Sequence, residues 1–420
     1  MIKQLLSNKY TLLVLLLLAM MPSAATAVYY AFHDHWCDYW PTFNYFIGYE
    51  YGFGGSKLIG TLLGPLMPEM VTAKHIRLFI LPANLLMLFG AAWVVWRSFT
   101  GGKEQGAGEV RREGVAVSML LALYAANPFS LFAYVHTHLS MCFMETYQLV
   151  LVLLWLALFV RHRGTWYYYA ATFLVPILGT LVHHTFCCTL LPLMLSLMLF
   201  DAFEEGRLQK GRAIAYGGLA VVLLGLFVAL WQWSGMTIDE ESLYERIAAR
   251  ANQDVLPDRD GLHMLYFLTN AENSSGSLTG GRMLQFGTEL LLLMPLLLLL
   301  ASPWVIAARQ AEGRGNRLRY WLPLAAQLLV VPMFFMATDY SRWWVCWTFG
   351  AAMLSLATYA TGDKAFLDAL QTLWAWAKRR WYIPLLVGIY LLQLHNSNRQ
   401  FFDGMKESVD IIEFIGSFFK

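Results

Sequence analysis

Residues 290–361 read "LLLLMPLLLLLASPWVIAARQAEGRGNRLRYWLPLAAQLLVVPMFFMATDYSRWWVCWTFGAAMLSLATYAT". Three apolar runs, 290–308, 320–338 and 343–361, each approach the ~20 residues that an α-helix needs to cross the hydrocarbon core. The first connection, 309–319, carries Arg309, Arg314, Arg317 and Arg319, whereas the second holds Asp339 and Arg342 three positions apart. Short basic connections favour the cytoplasmic side, so successive turns of such different charge place one inside and the next outside. The fold read from this stretch is all-α: a polytopic transmembrane helical bundle.

The whole chain agrees. Of its 420 residues 58% are hydrophobic and only 14% charged, against roughly a quarter charged in a soluble domain. A net charge of +2 gives no reason to invoke nucleic acid or an acidic partner. The five cysteines, Cys37, Cys142, Cys187, Cys188 and Cys346, show neither CxxC nor zinc spacing, so neither a disulfide framework nor a structural metal is indicated.

Further spans are predicted at 11–32, 78–96, 115–135 and 213–233, with shorter ones at 146–160, 165–182, 185–200 and 381–394. That makes about eleven crossings in a single integral membrane domain, 1–420. Ala25-Thr26-Ala27 resembles a signal-peptidase site, but the uncharged stretch continues to Phe32, and a retained first helix is favoured. Segment 58–72, with Gly60, Gly64, Pro65 and Pro68, reads as re-entrant or interfacial. With the N-terminus cytoplasmic, the inner segments are 97–114, 161–164, 201–212, 309–319 and 362–380. With the N-terminal segment they hold 19 of the 30 Lys and Arg residues. The outer side then carries two long loops, 33–76 and 234–283, the latter suited to short amphipathic surface helices, and a tail, 395–420.

Nine of the ten histidines fall on that outer side, and only His162 is cytoplasmic. Asp34, Asp38, Glu50, Lys57, Glu145, Glu289, Asp339 and Arg342 join them. Several have ordinary readings. Asp339 and Arg342 can pair with each other at i, i+3, and Glu289, opening its helix, suits the helix dipole. His136, His138, His183 and His184 include imidazoles able to bind a metal, yet lack any fixed ligand spacing. No metal and no cofactor is therefore expected.

A set of acids, imidazoles and cations at an outer membrane boundary suits work on a lipid-linked anionic substrate. Arginine binds phosphate through a planar fork, and a carboxylate can take a proton from an acceptor hydroxyl. The acidic residue soon after the first helix, the long first outer loop and the number of spans resemble the C-type (GT-C) membrane glycosyltransferases. "YEYGFGGSKLIGTLL" (49–63) and "DYSRW" (339–343) also resemble polytopic proteins of bacterial surface-polysaccharide assembly, with Lys57 where an arginine is expected. The resemblance implies a polyprenyl-phosphate sugar as donor, a glycan or lipid as acceptor, and an outward-facing site in the cytoplasmic membrane. It also implies a catalytic Asp34 or Asp38, with Glu50 and Asp339 as the next carboxylates. Arg342 or Lys57 would hold phosphate, and His136, His138, His183 and His184 would line the substrate site. Asp34 and Asp38 are separated by His35-Trp36-Cys37 and form no DxD motif. A repeat-unit polymerase using Arg246, Arg250 and Arg259 is the alternative. An ion-coupled transporter fits less well, because its charges belong at the membrane midplane.

Overall fold

The charged turns and apolar runs of the sequence become, in a computed structural model, a bundle with a folded cap at one end. The structure describes residues 9–33, 39–53, 56–100, 112–137, 144–204, 207–232, 235–269, 280–336 and 340–404. In chain order the helices are α1 (Lys9–His33), α2 (Tyr39–Phe46), α3 (Leu58–Leu63), α4 (Ala73–Thr100), α5 (Arg112–Ala126), α6 (Leu131–Thr137) and α7 (Glu145–His162). There follow α8 (Trp166–Val182), α9 (Phe186–Thr189), α10 (Leu191–Ala202), α11 (Lys210–Gln232), α12 (Glu240–Ala248) and α13 (Arg259–Thr269). The chain continues through α14 (Gly280–Gln310), α15 (Arg314–Ala326), α16 (Met333–Met336), α17 (Tyr340–Thr361), α18 (Lys364–Arg379) and α19 (Tyr382–Gly404). A two-residue antiparallel ladder, β1 (Phe203–Glu204) with β2 (Arg207–Leu208), closes the turn after α10.

Among the described residues, seven segments are helical, long and apolar enough to cross a membrane: Tyr10–Phe32, Ala73–Thr100, Glu113–Val135, Glu145–His162, Lys210–Leu230, Met283–Gln310 and Arg314–Phe335. Trp166–Val182, Leu191–Ala202 and Tyr382–Leu394 are shorter apolar helices. At the centre runs α17, with Trp343, Trp344, Phe349, Leu354, Leu356 and Ala357 all buried. A helix apolar all round is one enclosed by others, and α17 packs on α4, α5, α7, α10 and α14.

Breaks in the helices occur where the sequence removes backbone partners, and side chains resupply them. Between α5 and α6, Asn127 Oδ1 accepts from Phe129 N at 2.7 Å, and Thr348 of α17 donates to the Phe129 carbonyl at 2.9 Å. Ser196 on α10 donates to the Pro323 carbonyl of α15 at 2.8 Å, and Gln327 Nε2 reaches Ser196 Oγ at 2.7 Å. Interhelical hydrogen bonds of this kind hold bundles together where lipid offers no hydrophobic contrast.

The structure corrects three boundaries. First, α14 begins at Gly280, so Glu289 lies in its third turn and caps nothing; residues 280–289 are polar yet helical, and hydropathy alone sees the helix only from 290. Second, α19 continues the 381–394 span to Gly404, past the point where the outer tail was expected to begin. Third, 58–72 is not one continuous helix but α3 followed by a 3-10 turn, Gly64–Leu66.

That segment belongs to the cap. Val71 N donates to the Arg250 carbonyl and Asn252 N to the Val71 carbonyl, at 2.6 and 2.8 Å, a parallel bridge between the two long loops. Thr237 N reaches the Tyr51 carbonyl, and Asp254 Oδ2 accepts from Ala73 N at the start of α4. Beneath these bonds Phe43, Tyr45, Ile47, Ile59, Leu243 and Ile247 form a second hydrophobic core. Gly60 allows the closest approach: a Cβ there would lie 2.1 Å from the Ile47 carbonyl oxygen.

Candidate functional site

Glu145 is the first residue of α7, and Arg342 lies in the first turn of α17. Packing α7 against α17 brings them together: Arg342 Nη1 donates to Glu145 Oε1 at 3.0 Å, with side chains 13% and 1% exposed. The guanidinium also sits 5.0 Å from the centroid of the buried Trp343 ring. A carboxylate at a helix N-terminus is favoured by the dipole. Removing two charges from water nevertheless costs several kcal/mol per ion, so the pair needs additional partners or a use.

One oxygen of the pair stands out. Glu145 Oε2 is buried and accepts no hydrogen bond among the described residues. One turn along, Gln148 Nε2 donates to the carbonyls of Gly179 and His183 at 2.9 and 2.7 Å, which fixes the amide and leaves its Oε1 also buried without a donor. Positions i and i+3 share a helix face. Two buried acceptors on neighbouring turns form a place for a hydroxyl or water that can donate.

His183 and His184 follow α8, with rings stacked 4.8 Å apart at 17°. His183 Nδ1 accepts from the Thr185 amide at 3.3 Å and lies 2.6 Å from its hydroxyl. Burial, then His184, then the Arg342 guanidinium hold His183 well below the ordinary imidazole range; burial also lowers His184. Both imidazoles are therefore neutral at pH 7, and His183 shares the electrostatic field of Arg342.

Other residues singled out in the sequence sit in the cap. Lys57 is buried, and its Nζ donates to the carbonyls of Tyr51 and Gly52 at 3.2 and 2.8 Å, tying the first loop to itself. Burial lowers its amine to about 8, opposed by the carboxylate of Glu50. Glu50, on the 3-10 turn Tyr49–Tyr51, lines a cavity of about 350 Å³ with Thr61, Glu69 and Arg250. The three loop arginines serve packing: Arg246 lies over Tyr51, Arg250 donates to the Gly64 carbonyl, and Arg259 grips Glu241 with two bonds of 2.9 Å. Asp34, Asp38, His138 and Asp339 lie outside the described residues, as does the side chain of His136. Among the described residues no three His, Cys, Asp or Glu side chains converge as a metal would require.

Glu289 has a separate setting. It is 1% exposed, accepts from Trp344 Nε1 and from Gln285 Nε2, and lies beside stacked Phe286 and Trp344. It serves as a packed, satisfied side chain between α14 and α17.

Sequence reading placed Glu145 at the outer end without a role, and passed over Gln148. The available signal was a lone acid at the head of an apolar helix: a carboxylate there is expensive and needs a partner or a use.

Fold and site together define a multi-pass helical membrane protein with a buried ion pair beneath a two-loop cap. Comparison with protein-family models, with curated proteins and with solved structures gives no match.

Proposed function

We propose that this protein is a membrane glycosyltransferase. It transfers a sugar from a polyprenyl-phosphate donor to a hydroxyl of a glycan or lipid acceptor. In this reading the bundle makes eleven crossings of a cytoplasmic membrane, with the N-terminus inside and the two-loop cap outside. The basic connections support that orientation, since short loops rich in Lys and Arg stay in the cytoplasm.

The observation that carries the proposal is the Arg342–Glu145 pair with its open, buried Glu145 oxygen. Arg342 holds the donor phosphate through its planar fork. The acceptor oxygen attacks the anomeric carbon, the bond from that carbon to the phosphate oxygen breaks, and polyprenyl phosphate leaves with the electron pair. The acceptor proton passes to a carboxylate, which must stand within hydrogen-bond reach. Asp38 or Asp34 is the carboxylate implied by the family resemblance, and Glu145 is a third with a vacant oxygen. Gln148 Oε1, one turn away, orients the same hydroxyl.

Turnover of a polyprenyl-phosphate sugar by purified Asp34→Asn, Asp38→Asn and Glu145→Gln proteins separates the three. Loss of a general base lowers turnover by ~100-fold or more in one variant while donor binding persists. Near-normal turnover in all three variants would reject a carboxylate base at any of these positions.

A further inference from the structure

The far ends of α7 and α17 lie a helix length from the Arg342–Glu145 pair, roughly 30 Å at 1.5 Å per residue. There α18 lies across the end of the bundle. Asp363 caps it, accepting from Phe366 N at 3.0 Å, and is itself held by Tyr320 and Arg319. Phe366, Ala369, Leu370, Leu373 and Ala377 are buried, on the side where α18 packs on α5 and α14.

The opposite face is cationic. Gln371, Trp374, Ala375, Lys378 and Arg379 line a groove of about 640 Å³. Lys378, Arg379 and the adjoining Arg380 are exposed, and none has an ion pair with a described residue. Of the acids nearby, Glu113 accepts from Gln371 and Asp363 pairs with Arg319, while Asp368 stands exposed one turn before Gln371, toward the other end of the helix from Lys378 and Arg379. Trp381 and Tyr382 follow at once and are exposed, as aromatic side chains at the headgroup level are. Beyond them α19 presents Leu385, Leu386, Ile389 and Leu392 outward, an apolar stripe of the kind that faces lipid.

A cationic groove, an aromatic boundary and an apolar stripe in immediate succession have the layout of an amphiphile. We infer that the groove binds the phosphate-bearing headgroup of an anionic phospholipid, with its acyl chains along the α19 stripe. Lys378 and Arg379 make charge-assisted hydrogen bonds to the phosphate oxygens, and Trp374 walls the headgroup. This site is independent of the proposed reaction.

Native mass spectrometry of the full chain in detergent tests it, with phosphatidylglycerol, phosphatidylcholine and glycerol 3-phosphate added separately. Phosphatidylglycerol should bind in preference to phosphatidylcholine. A Lys378→Gln/Arg379→Gln double variant should weaken its binding roughly 30-fold, taking about fivefold for each cation at an anionic surface. Lys364→Gln, an exposed cation at the other end of the same helix, should leave binding unchanged. Equal binding of the two lipids, or unaltered binding in the double variant, would overturn the site. An equal loss in Lys364→Gln would show diffuse charge instead of a groove. Glycerol 3-phosphate binding as tightly as phosphatidylglycerol would make a soluble phosphate the ligand and reject the lipid.

Discussion

Breaking the Arg342–Glu145 pair distinguishes a structural strut from a working site. Its 3.0 Å contact joins side chains 13% and 1% exposed, so removing Arg342 leaves the Glu145 carboxylate buried without its described counter-ion, and removing Glu145 breaks a buried ion pair. Losses of that kind run to about 3–5 kcal/mol, whereas replacing both partners by apolar groups of similar volume is often neutral. Arg342→Met and Glu145→Leu should each lower the thermal midpoint in detergent by several degrees, and the double variant should recover most of that loss. Transfer should be absent in all three. The paired assays are thermal unfolding by intrinsic fluorescence and turnover of a polyprenyl-phosphate sugar. Two results would refute the reasoning. If Arg342→Met costs under about 0.5 kcal/mol, the range of an ordinary surface substitution, the buried Glu145 charge does not depend on Arg342. If the recovered double variant still turns over, the pair only supports the fold.

The other predictions use separate parts of the molecule. Because His183 and His184 are held below the ordinary imidazole range, the unfolded chain binds more protons below pH ~6.5, so stability falls as pH drops through that window. The slope is about 1.4 kcal/mol per pH unit for each imidazole, and a His183→Gln/His184→Gln protein should show a flatter midpoint-versus-pH curve there. Lys57 is also lowered, to about 8; the unfolded chain keeps its proton to higher pH, so stability should rise between pH 8 and 10.5, a rise absent in Lys57→Met. Gly60→Ala drives a methyl into the Ile47 carbonyl oxygen, 2.1 Å away, at a cost of roughly 1–3 kcal/mol for overpacking. Limited proteolysis should then cut 39–66 faster while the bundle fragments survive; an unchanged cleavage pattern would contradict the tight approach of Gly60 to Ile47 within the first loop.

Much of the bundle was legible because lipid imposes a simple rule: a run long and apolar enough to span must satisfy its own backbone as a helix. The seven long helices follow that rule and match predicted runs. Where polarity and helicity part company, the rule failed. Residues 280–289 include Arg282, Gln285 and Glu289, so hydropathy began the helix about one helical segment late, and Glu289 was given a capping role it does not have. The Arg342–Glu145 bond was hidden for a different reason: Glu145 lies 197 positions earlier in the chain, and nothing in a one-dimensional pattern shows a partner brought up by helix packing. The docking of the two long loops was likewise out of reach, since a backbone bridge such as Val71 to Ala251 leaves no compositional trace.

The central claim, that Arg342 forms part of a site for a lipid-linked phosphate, is tested most directly by equilibrium binding of polyprenyl phosphate to the purified protein in nanodiscs. Saturable binding is predicted for the wild type, strongly weakened in Arg342→Ala and partly kept in Arg342→Lys, where charge remains without the fork. Absence of binding, or equal binding in all three proteins, would contradict it.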